Sequence, residues 1–419
     1  MRILFFLVFL ILILLSDFYT EKAIGLILPI SWQNSPWISY FFYGFKIGLW
    51  LFLFGLFILK PGKEIQEWGI ITFFSIYGGQ LILLIFSFGD EFRRGLSYLI
   101  QNISSSPKTG ISSHSLNPIP RSEFLAKTGL GLGALASIGI SVQGTKGLYD
   151  YRIRKVDLFL PNLPSEFNGI TLVQISDIHS GSFYNPLAVQ GGIDMILGLK
   201  PEMIFFTGDL VNSRSAEMKD YQAIFSKLNA PLGVFSILGN HDYGDYAHWN
   251  SPEEKKANLN QLIQIHKLMG YDLLMNENRK IRIGNQEISV LGIENWSARP
   301  EFPKHGRLDL AIKGTEESPV KLLLSHDPSH WRGQVIPEFK QVDISFSGHT
   351  HGMQMGIRLD HFQWSPIQYV YPEWAGLYRE GNQQLYVNVG YGFLGYPGRI
   401  GMLPEITHFT LRTGNGPKV

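Results

Sequence analysis

The sequence contains no cysteine, which excludes disulfide bonds, thiolate metal ligands, a cysteine nucleophile and a lipid anchor on cysteine. Any metal ion would therefore be held by nitrogen and oxygen atoms. Charge is also scarce, because Asp, Glu, Lys and Arg make up only 17% of the chain. The 36 basic residues are nearly balanced by 35 acidic ones, so the sequence offers no basic track for a nucleic-acid backbone. Nucleic acid is accordingly disfavoured as a partner.

Long hydrophobic runs fill the first third of the chain. The candidate membrane spans are residues 3–15, 37–59, 68–89 and 124–142. A polar Ser/Pro/Asn stretch, residues 101–121, is predicted as a loop before the last of them. The first run either continues past Asp17 as a span or ends there as the core of a signal-type segment. We therefore predict an all-α transmembrane module of about four helices over residues 1–148, with the bilayer as its partner.

Two features predict that these spans pack against each other. Gly44 and Gly48, and likewise Gly129 and Gly133, are spaced to give a small face for close helix approach. Lys46 lies inside the second span, where a lone charge costs roughly 2.5–3.5 kcal/mol at mid-bilayer. Its side chain is therefore expected to face a partner or to extend to the membrane interface.

The topology of the predicted multi-pass protein of the plasma (inner) membrane stays open. The distribution of Lys and Arg between the loops leans weakly toward a cytoplasmic C-terminal domain. Against this, residues 121–127 precede an apolar segment and resemble a degenerate twin-arginine export signal that lacks the second arginine. That resemblance implies an external domain.

Residues 149–419 have the composition of a soluble α/β domain. Buried strands are predicted at residues 170–175, 203–206, 234–238, 320–324 and 342–346, and helices at residues 186–199, 215–228 and 253–269. Strands and helices alternate first and hairpins come later. This order indicates an α/β fold with a mixed sheet or a two-sheet sandwich.

Each of the five buried strands is followed by hard oxygen- or imidazole-bearing side chains in a Gly- or Ser-rich context. These residues are Asp177 and His179, then Asp209, then Asn240, His241 and Asp242, then His326, then His349 and His351. The first three clusters are separated by about one strand–helix–strand unit of roughly 30 residues, which brings parallel strand ends to one edge. A single buried His or Asp is more often a satisfied core group, whereas five such clusters indicate a site.

Seven of these residues are candidate metal ligands, which is too many for one ion, because a catalytic zinc typically takes three protein ligands. They suit two divalent ions that share a carboxylate. Imidazole and carboxylate ligands without thiolate suit Mn, Fe or Zn and argue against a site for magnesium alone.

The ordered motifs D-x-H, G-D, G-N-H-D, H and G-H-x-H resemble those of the calcineurin-like metallophosphoesterases. The resemblance implies a four-layered α/β sandwich in which a metal-activated hydroxide attacks phosphorus. One metal ion would be held by Asp177, His179 and His351, and the other by Asn240, His326 and His349, with Asp209 between them. His241 would donate a proton to the leaving oxygen or stabilise charge in the transition state. Asp242 would orient His241.

Several spans followed by this domain resemble the membrane-bound branch of that family. Some members of that branch hydrolyse the pyrophosphate bond of UDP-2,3-diacylglucosamine in lipid A synthesis, which suggests a lipid-linked phosphoester or pyrophosphate substrate by analogy. The alternatives are a broad-specificity phosphodiesterase or nuclease, and a membrane sensor or transporter with a degenerate hydrolase domain. The intact ligand set and the single intramembrane lysine disfavour the last of these.

Some residues outside the motifs are weaker candidates for the site. Arg399, in a glycine-rich loop, is a candidate phosphate contact. Tyr243, His248 and Trp249 either line a substrate cleft or pack in the core beneath it.

Overall fold

The structure is a computed structural model that describes residues 2–33, 35–59, 62–103, 121–359 and 362–416. The chain divides into two compact units, Met1–Gly144 and Thr145–Val419.

The first unit is helical. Its helices are α1 (Arg2–Ile27), α2 (Ile30–Gln33), α3 (Pro36–Leu59), α4 (Lys63–Ile103) and α5, which starts in this unit (Arg121–Gly147). Within the described residues, the stretches long and apolar enough to cross a membrane are Pro36–Leu56, Ile65–Ile100 and Arg121–Val142. The first apolar run, residues 3–15, lies in α1, which continues as a helix past Asp17 to Ile27 and is not among these stretches. Most of the predicted loop 101–121 lies outside the described residues.

Lys46 has partners inside the helical unit, as the cost of an isolated charge predicts. Its Nζ atom lies 2.7 Å from Oδ1 of Asp17 and donates a hydrogen bond of 2.9 Å to Oε1 of Gln80. The ring of Tyr77 lies 4.0 Å from the same nitrogen. These contacts join α1, α3 and α4 through buried polar side chains.

The glycine pairs behave differently from each other. A Cβ atom built on Gly133 would lie 2.5 Å from the carbonyl oxygen of Gly79, so α5 and α4 approach too closely for a side chain there. By contrast, a Cβ atom on Gly44 or Gly48 would meet no atom of the described residues within 4 Å. The prediction of close packing is confirmed at Gly133 and is wrong for Gly44 and Gly48.

The second unit contains two six-stranded sheets. The first has the order β1-β14-β2-β3-β4-β5 and the second the order β12-β13-β9-β8-β7-β6, while β10 and β11 form a separate hairpin. The strands are β1 (Arg152–Leu160), β2 (Thr171–Ile175), β3 (Met203–Phe206), β4 (Val234–Ser236), β5 (Asp272–Leu273), β6 (Glu277–Ile283), β7 (Gln286–Gly292), β8 (Lys321–Leu324), β9 (Ile344–Ser347), β10 (Ile357–Leu359), β11 (Phe362–Trp364), β12 (Gly376–Glu380), β13 (Gln383–Val387) and β14 (Glu405–Thr413). The helices are α6 (Pro186–Gly198), α7 (Gln222–Phe225), α8 (Pro252–Leu268), α9 (Leu308–Ala311) and α10 (Ile336–Glu338).

Three apolar cores separate four layers of secondary structure. The middle core lies between the sheets and includes Phe205 of β3 and Phe346 of β9, whose ring centroids are 5.1 Å apart. On its outer face the first sheet packs against α6 and α8, and the second sheet packs against α9. The four-layered α/β sandwich is confirmed.

The predicted helix at residues 215–228 is wrong, because the chain is broken there. A short 3-10 helix, Ser215–Met218, precedes α7. The Glu217 carboxylate accepts hydrogen bonds from the N–H groups of Asn212, Ser213 and Arg214. Ser215 is in turn bonded to Asn258 of α8. These contacts tie the segment to its surroundings and compete with continuous helix formation.

His266 of α8 is a buried histidine away from the strand ends, and it makes stability depend on pH. Burial lowers the pKa of His266 to about 3, and its Nδ1 lies 3.0 Å from Oγ of Ser236. The unfolded chain binds this proton with an ordinary pKa of about 6.5. The stability that the neutral ring contributes is therefore present at pH 7 and is lost as the pH falls below about 6.5.

We expect this group to cost about 2 kcal/mol of unfolding free energy between pH 7 and pH 5. His266→Asn keeps a polar atom near Ser236 and cannot be protonated. Urea unfolding of the detergent-solubilised chain at both pH values measures this loss. The decrease in unfolding free energy from pH 7 to pH 5 should be smaller in the variant than in the parent by about 2 kcal/mol. An unchanged pH dependence would contradict the assignment.

Candidate metal centre

The five polar clusters meet at the carboxyl ends of parallel strands from both sheets. In the first sheet β2, β3 and β4 are parallel neighbours, and in the second sheet β8 and β9 are parallel neighbours. The N–H of Gly348, after β9, donates to the carbonyl oxygen of His326, after β8. The amide of Gln174 in β2 reaches the carbonyl oxygen of Ser347 in β9 and links the two sheets at this edge. The strand ends are therefore brought to one place.

Two groups of ligand-type atoms result, and their residues are buried except for His349, which is partly buried. Asp177, His179 and His351 form one group, and Asp209, His326 and His349 form the other, each with its ligand atoms within 4.8 Å of one another. Oδ1 of Asn240 lies 2.9 Å from Nδ1 of His349, in the second group. All seven predicted ligands are thus gathered at this edge.

Asp209 lies between the two groups. Its Oδ2 atom is 3.5 Å from Nε2 of His179 and 3.1 Å from Nε2 of His326. Its other oxygen, Oδ1, accepts the backbone N–H of His241 at 2.9 Å. One carboxylate therefore contacts both groups and is itself held in place by the backbone.

Hydrogen bonds at Nδ1 orient the imidazole rings of two predicted ligands. Nδ1 of His326 donates to the carbonyl oxygen of Thr207 at 2.8 Å, and Nδ1 of His179 lies 3.1 Å from Oδ1 of Asn212. Nε2 of His179 and Nε2 of His351 are buried and make no well-oriented hydrogen bond to any described residue, although carboxylate oxygens of Asp209 and Asp177 lie 3.5 and 3.2 Å from them. A buried polar atom without such a bond is costly, and metal coordination would satisfy both nitrogens. The donor set fits divalent cations with nitrogen and oxygen ligands.

Backbone conformation at the site is unusual for residues with side chains. Five of the seven predicted ligands have φ in the left-handed region, between 48° and 72°: Asp177, His179, Asp209, His349 and His351. Such conformations are uncommon outside glycine and cluster at functional sites. Gly348 is required at the same edge, because a Cβ atom there would lie 1.9 Å from Oγ of Ser176.

The electrostatics favour ionised carboxylates. Burial acts to raise the pKa of Asp177, but the neighbouring His351 outweighs burial and holds this pKa below its usual range. Burial likewise opposes the ionisation of Asp209, and His326 outweighs it, so the pKa of Asp209 is also low. Burial acts to lower the pKa of His326, yet the charge of Asp209 raises it to about 10. Metal ligands must be deprotonated, so cation binding would release the proton of His326.

Family models match both units of the chain. Residues 170–353 match the calcineurin-like phosphoesterase model, and residues 1–148 match a model described as a probable calcineurin-like phosphoesterase, transmembrane domain. The second unit therefore carries a calcineurin-like phosphoesterase domain. The chain is a metal-dependent phosphoester hydrolase with a membrane-associated N-terminal part.

Relatives of this phosphoesterase include proteins from animals and bacteria. The transmembrane protein with metallophosphoesterase domain of Danio rerio is 28% identical over 373 residues, which cover 87% of this chain and 77% of that protein. The uncharacterized metallophosphoesterase YkuE of Bacillus subtilis is 29% identical over 259 residues, which cover 60% of this chain and 82% of that protein. UDP-2,3-diacylglucosamine pyrophosphatase LpxG of Chlamydia trachomatis is 27% identical over 291 residues, which cover 58% of this chain and 83% of that protein.

The predicted contact between Asp242 and the His241 ring is wrong. The Asp242 carboxylate accepts four backbone N–H groups, from Asp209, Leu210, Val211 and Gly239, at 2.8–3.2 Å. It therefore fixes the two loops that carry Asp209 and Asn240. The His241 ring is oriented instead by the carbonyl oxygen of Asn212, which accepts from Nδ1 at 2.8 Å.

Two further residues position the phosphoesterase site and are not among those predicted from the sequence. Asn212 contacts both His179 and His241, and the hydroxyl of Tyr371 lies 2.9 Å from Nε2 of His349. Asn212 lies shortly after the Gly208-Asp209 motif in the sequence, and this proximity could have identified it as a site residue. Tyr371 lies in a segment without any motif.

Arg399 does not face the site as a phosphate contact. Its side chain is fully buried, and its guanidinium group donates to the backbone carbonyl oxygens of Val389, Gly392 and Met402. One of its nitrogens lies 3.4 Å from Nδ1 of His351. Arg399 therefore packs behind a predicted ligand, and the predicted phosphate contact is wrong.

The residues after the Gly239-Asn240-His241-Asp242 motif divide between core and surface. Tyr243 is buried and stacks on His305, whereas His248 is exposed. Trp249 donates from its indole N–H to the carbonyl oxygen of Gly244. Tyr246 is a further aromatic neighbour of the site, with its ring centroid 4.3 Å from that of His241.

Proposed function

We propose that this protein is a membrane-anchored phosphoesterase that uses two divalent metal ions to hydrolyse a phosphoester or pyrophosphate bond. The observation that carries the proposal is Asp209, whose carboxylate contacts histidines of both ligand groups at 3.5 and 3.1 Å. Two ions bound there would supply Lewis-acid stabilisation of charge and activation of water for attack on phosphorus. The donor set suits Mn, Fe or Zn.

The protein's own residues would hold and orient the reacting groups. Asp177, His179 and His351 would hold one cation, and Asn240, His326 and His349 the other, on either side of Asp209. His241 is not needed as a ligand in this arrangement. Its Nδ1 is fixed by the Asn212 carbonyl oxygen, which leaves Nε2 as the nitrogen able to carry a proton to the leaving oxygen.

We propose further that the substrate is lipid-linked and that the protein is a multi-pass protein of the plasma (inner) membrane. The match of residues 1–148 to a phosphoesterase transmembrane domain supports a site that works near a bilayer. The similarity to UDP-2,3-diacylglucosamine pyrophosphatase supports a nucleotide lipid with a pyrophosphate bond as the first candidate.

The purified full chain is expected to hydrolyse bis-p-nitrophenyl phosphate when manganese is added, and to lose this activity on chelation. Absence of turnover across a panel of Mn, Fe, Zn, Co and Mg would contradict the proposal. UDP-2,3-diacylglucosamine in mixed micelles tests the substrate. Hydrolysis of the chromogenic ester without hydrolysis of this lipid would keep the enzyme and reject the lipid.

A topology reporter fused after Val419 tests whether a nucleotide lipid is accessible. A cytoplasmic reporter is the expected result, because the distribution of Lys and Arg between the predicted spans leans toward a cytoplasmic C-terminal domain. An external reporter would reject this substrate class while leaving the metal site in place.

A further inference from the structure

The β10–β11 hairpin displays its apolar face to the outside. Ile357 is paired with Trp364, and Leu359 with Phe362, in antiparallel register. Because side chains alternate along each strand, these four residues lie on one face of the hairpin. Their exposed fractions are 48% and 67% for Ile357 and Leu359, and 55% and 36% for Phe362 and Trp364. A face with four exposed large apolar side chains is unusual for a hairpin in water.

The opposite face of the same hairpin is polar and is fixed to the domain. Arg358 and Gln363 are paired across the strands on that face. Arg358 forms an ion pair with Glu405, a residue only 1% exposed, and Gln363 donates to the carbonyl oxygen of Ala375 at 3.1 Å. The usual arrangement, apolar inward and polar outward, is reversed. Turning the hairpin over would leave the buried Glu405 without this partner, so the apolar face is held outward.

Neighbouring segments enlarge the apolar surface. Residues before and after the hairpin also expose large apolar side chains: Met353, Met355, Tyr369 and Val370. We call the exposed side chains of these residues and of Ile357, Leu359, Phe362 and Trp364 the apolar patch. Within the described residues outside the helical unit, the other exposed large apolar side chains are dispersed along the chain: Ile153, Leu187, Tyr246, Leu268 and Leu310. The concentration on one segment indicates a surface that binds something apolar.

The patch is attached directly to the metal centre. The chain enters this segment from His351 and leaves it at Tyr371, whose hydroxyl lies 2.9 Å from Nε2 of His349. Within the segment, Oγ of Ser365 donates to the carbonyl oxygen of Gly352 at 2.8 Å. Whatever binds the patch is therefore held beside two predicted metal ligands.

We propose that the apolar patch inserts into the surface of the bilayer in which the helical unit is embedded. The candidate span Arg121–Val142 is followed closely in the chain by β1, which begins at Arg152, so the domain is tethered to a membrane surface by its own sequence. Trp364, Tyr369 and Phe362 are side chains suited to the interface between headgroups and acyl chains. Insertion brings His349 and His351 to the membrane surface, where the phosphoester of a lipid is reached without extraction. This proposal goes beyond the proposed function and does not depend on which phosphoester is hydrolysed.

The test uses the absence of cysteine in the chain. Phe362→Cys provides a single attachment site for the fluorophore nitrobenzoxadiazole in the full chain, reconstituted in phosphatidylcholine–phosphatidylglycerol liposomes. Leu268→Cys is the matched control, because Leu268 is 69% exposed and lies at the end of α8, away from the patch in the chain. We expect nitroxide-labelled lipids to quench the label at position 362 strongly and aqueous iodide to quench it weakly, with the reverse at position 268.

Each other outcome overturns the proposal. Quenching of position 362 by iodide to the same extent as position 268 would show that the patch faces water. Protection of position 362 from both quenchers would show that protein, either the helical unit or a second copy, covers the patch.

A second pair of substitutions tests the same proposal by charge. Leu359→Glu with Phe362→Glu should abolish lipid quenching of a label on Trp364→Cys, while turnover of dissolved bis-p-nitrophenyl phosphate stays within about twofold and reports correct folding. Retention of lipid quenching in this variant would contradict insertion. Quenching does not depend on turnover. If the protein proved inactive, the proposed function would be rejected, but the insertion of the apolar patch into the bilayer would still be tested by the quenching result.

Discussion

Replacing Asp209 with Asn is expected to remove bound metal and phosphoester hydrolysis together. The Oδ2 atom of Asp209 lies close to imidazole nitrogens of both ligand groups, and the negative charge of this carboxylate is what would hold two cations close to each other. The change is nearly isosteric, and asparagine tolerates the left-handed backbone at this position, where φ is 60°. Its side-chain oxygen can still accept the N–H of His241. The fold should therefore survive.

We expect turnover of bis-p-nitrophenyl phosphate to fall by more than the roughly 10–100-fold typical of changes behind the ligands. Metal content by inductively coupled plasma mass spectrometry should fall with it. Asp220→Asn, at an exposed position in the same domain, is the matched control and should change neither quantity. A variant at position 209 that keeps both ions would refute the shared role of this carboxylate.

Replacing His241 with Ala is expected to separate turnover from metal binding. The ring is held through Nδ1 by the Asn212 carbonyl oxygen and lies beside His179, with ring centroids 4.9 Å apart. If Nε2 passes a proton to the leaving oxygen, its removal should lower kcat by roughly 10²–10⁴-fold. Metal content should stay unchanged, because His241 belongs to neither ligand group.

The leaving group provides the readout that distinguishes proton donation from a structural role. Esters with alkyl leaving groups need the proton more than p-nitrophenyl esters do, so His241→Ala should damage them more. His248→Ala, an exposed histidine on the same segment, is the control and should behave like the parent. Loss of metal in His241→Ala would instead make His241 a ligand.

The strands that build the site could be predicted from the sequence because each is marked by a pattern of neighbouring residues. Strands β2, β3 and β4 are short apolar runs that end at a small residue and then at Asp177, Asp209 or Asn240. Parallel strands bring their ends together by topology, so the gathering of these side chains followed from order and spacing. Their roles as ligands remain predictions that the variants above test.

What the sequence did not reveal depends on contacts between distant residues. Arg399 has a charged side chain in a glycine-rich loop, which resembles a phosphate contact, yet surrounding carbonyl oxygens bury it. Asp242 adjoins His241 in the chain, but its carboxylate faces the backbone of a different loop. The β10–β11 hairpin has its apolar residues on the outside, so the rule that apolar residues point inward does not identify its inner face. In each case a contact with a residue distant in the sequence determines which way the side chain points. The local sequence pattern does not reveal that contact.

The shared position of Asp209 is tested most directly by an anomalous difference map from crystals of the manganese-loaded protein. Two peaks are expected, one beside Asp177, His179 and His351 and the other beside Asn240, His326 and His349, with the Asp209 carboxylate in contact with both. A single peak, or peaks that leave Asp209 uncoordinated, would contradict this arrangement.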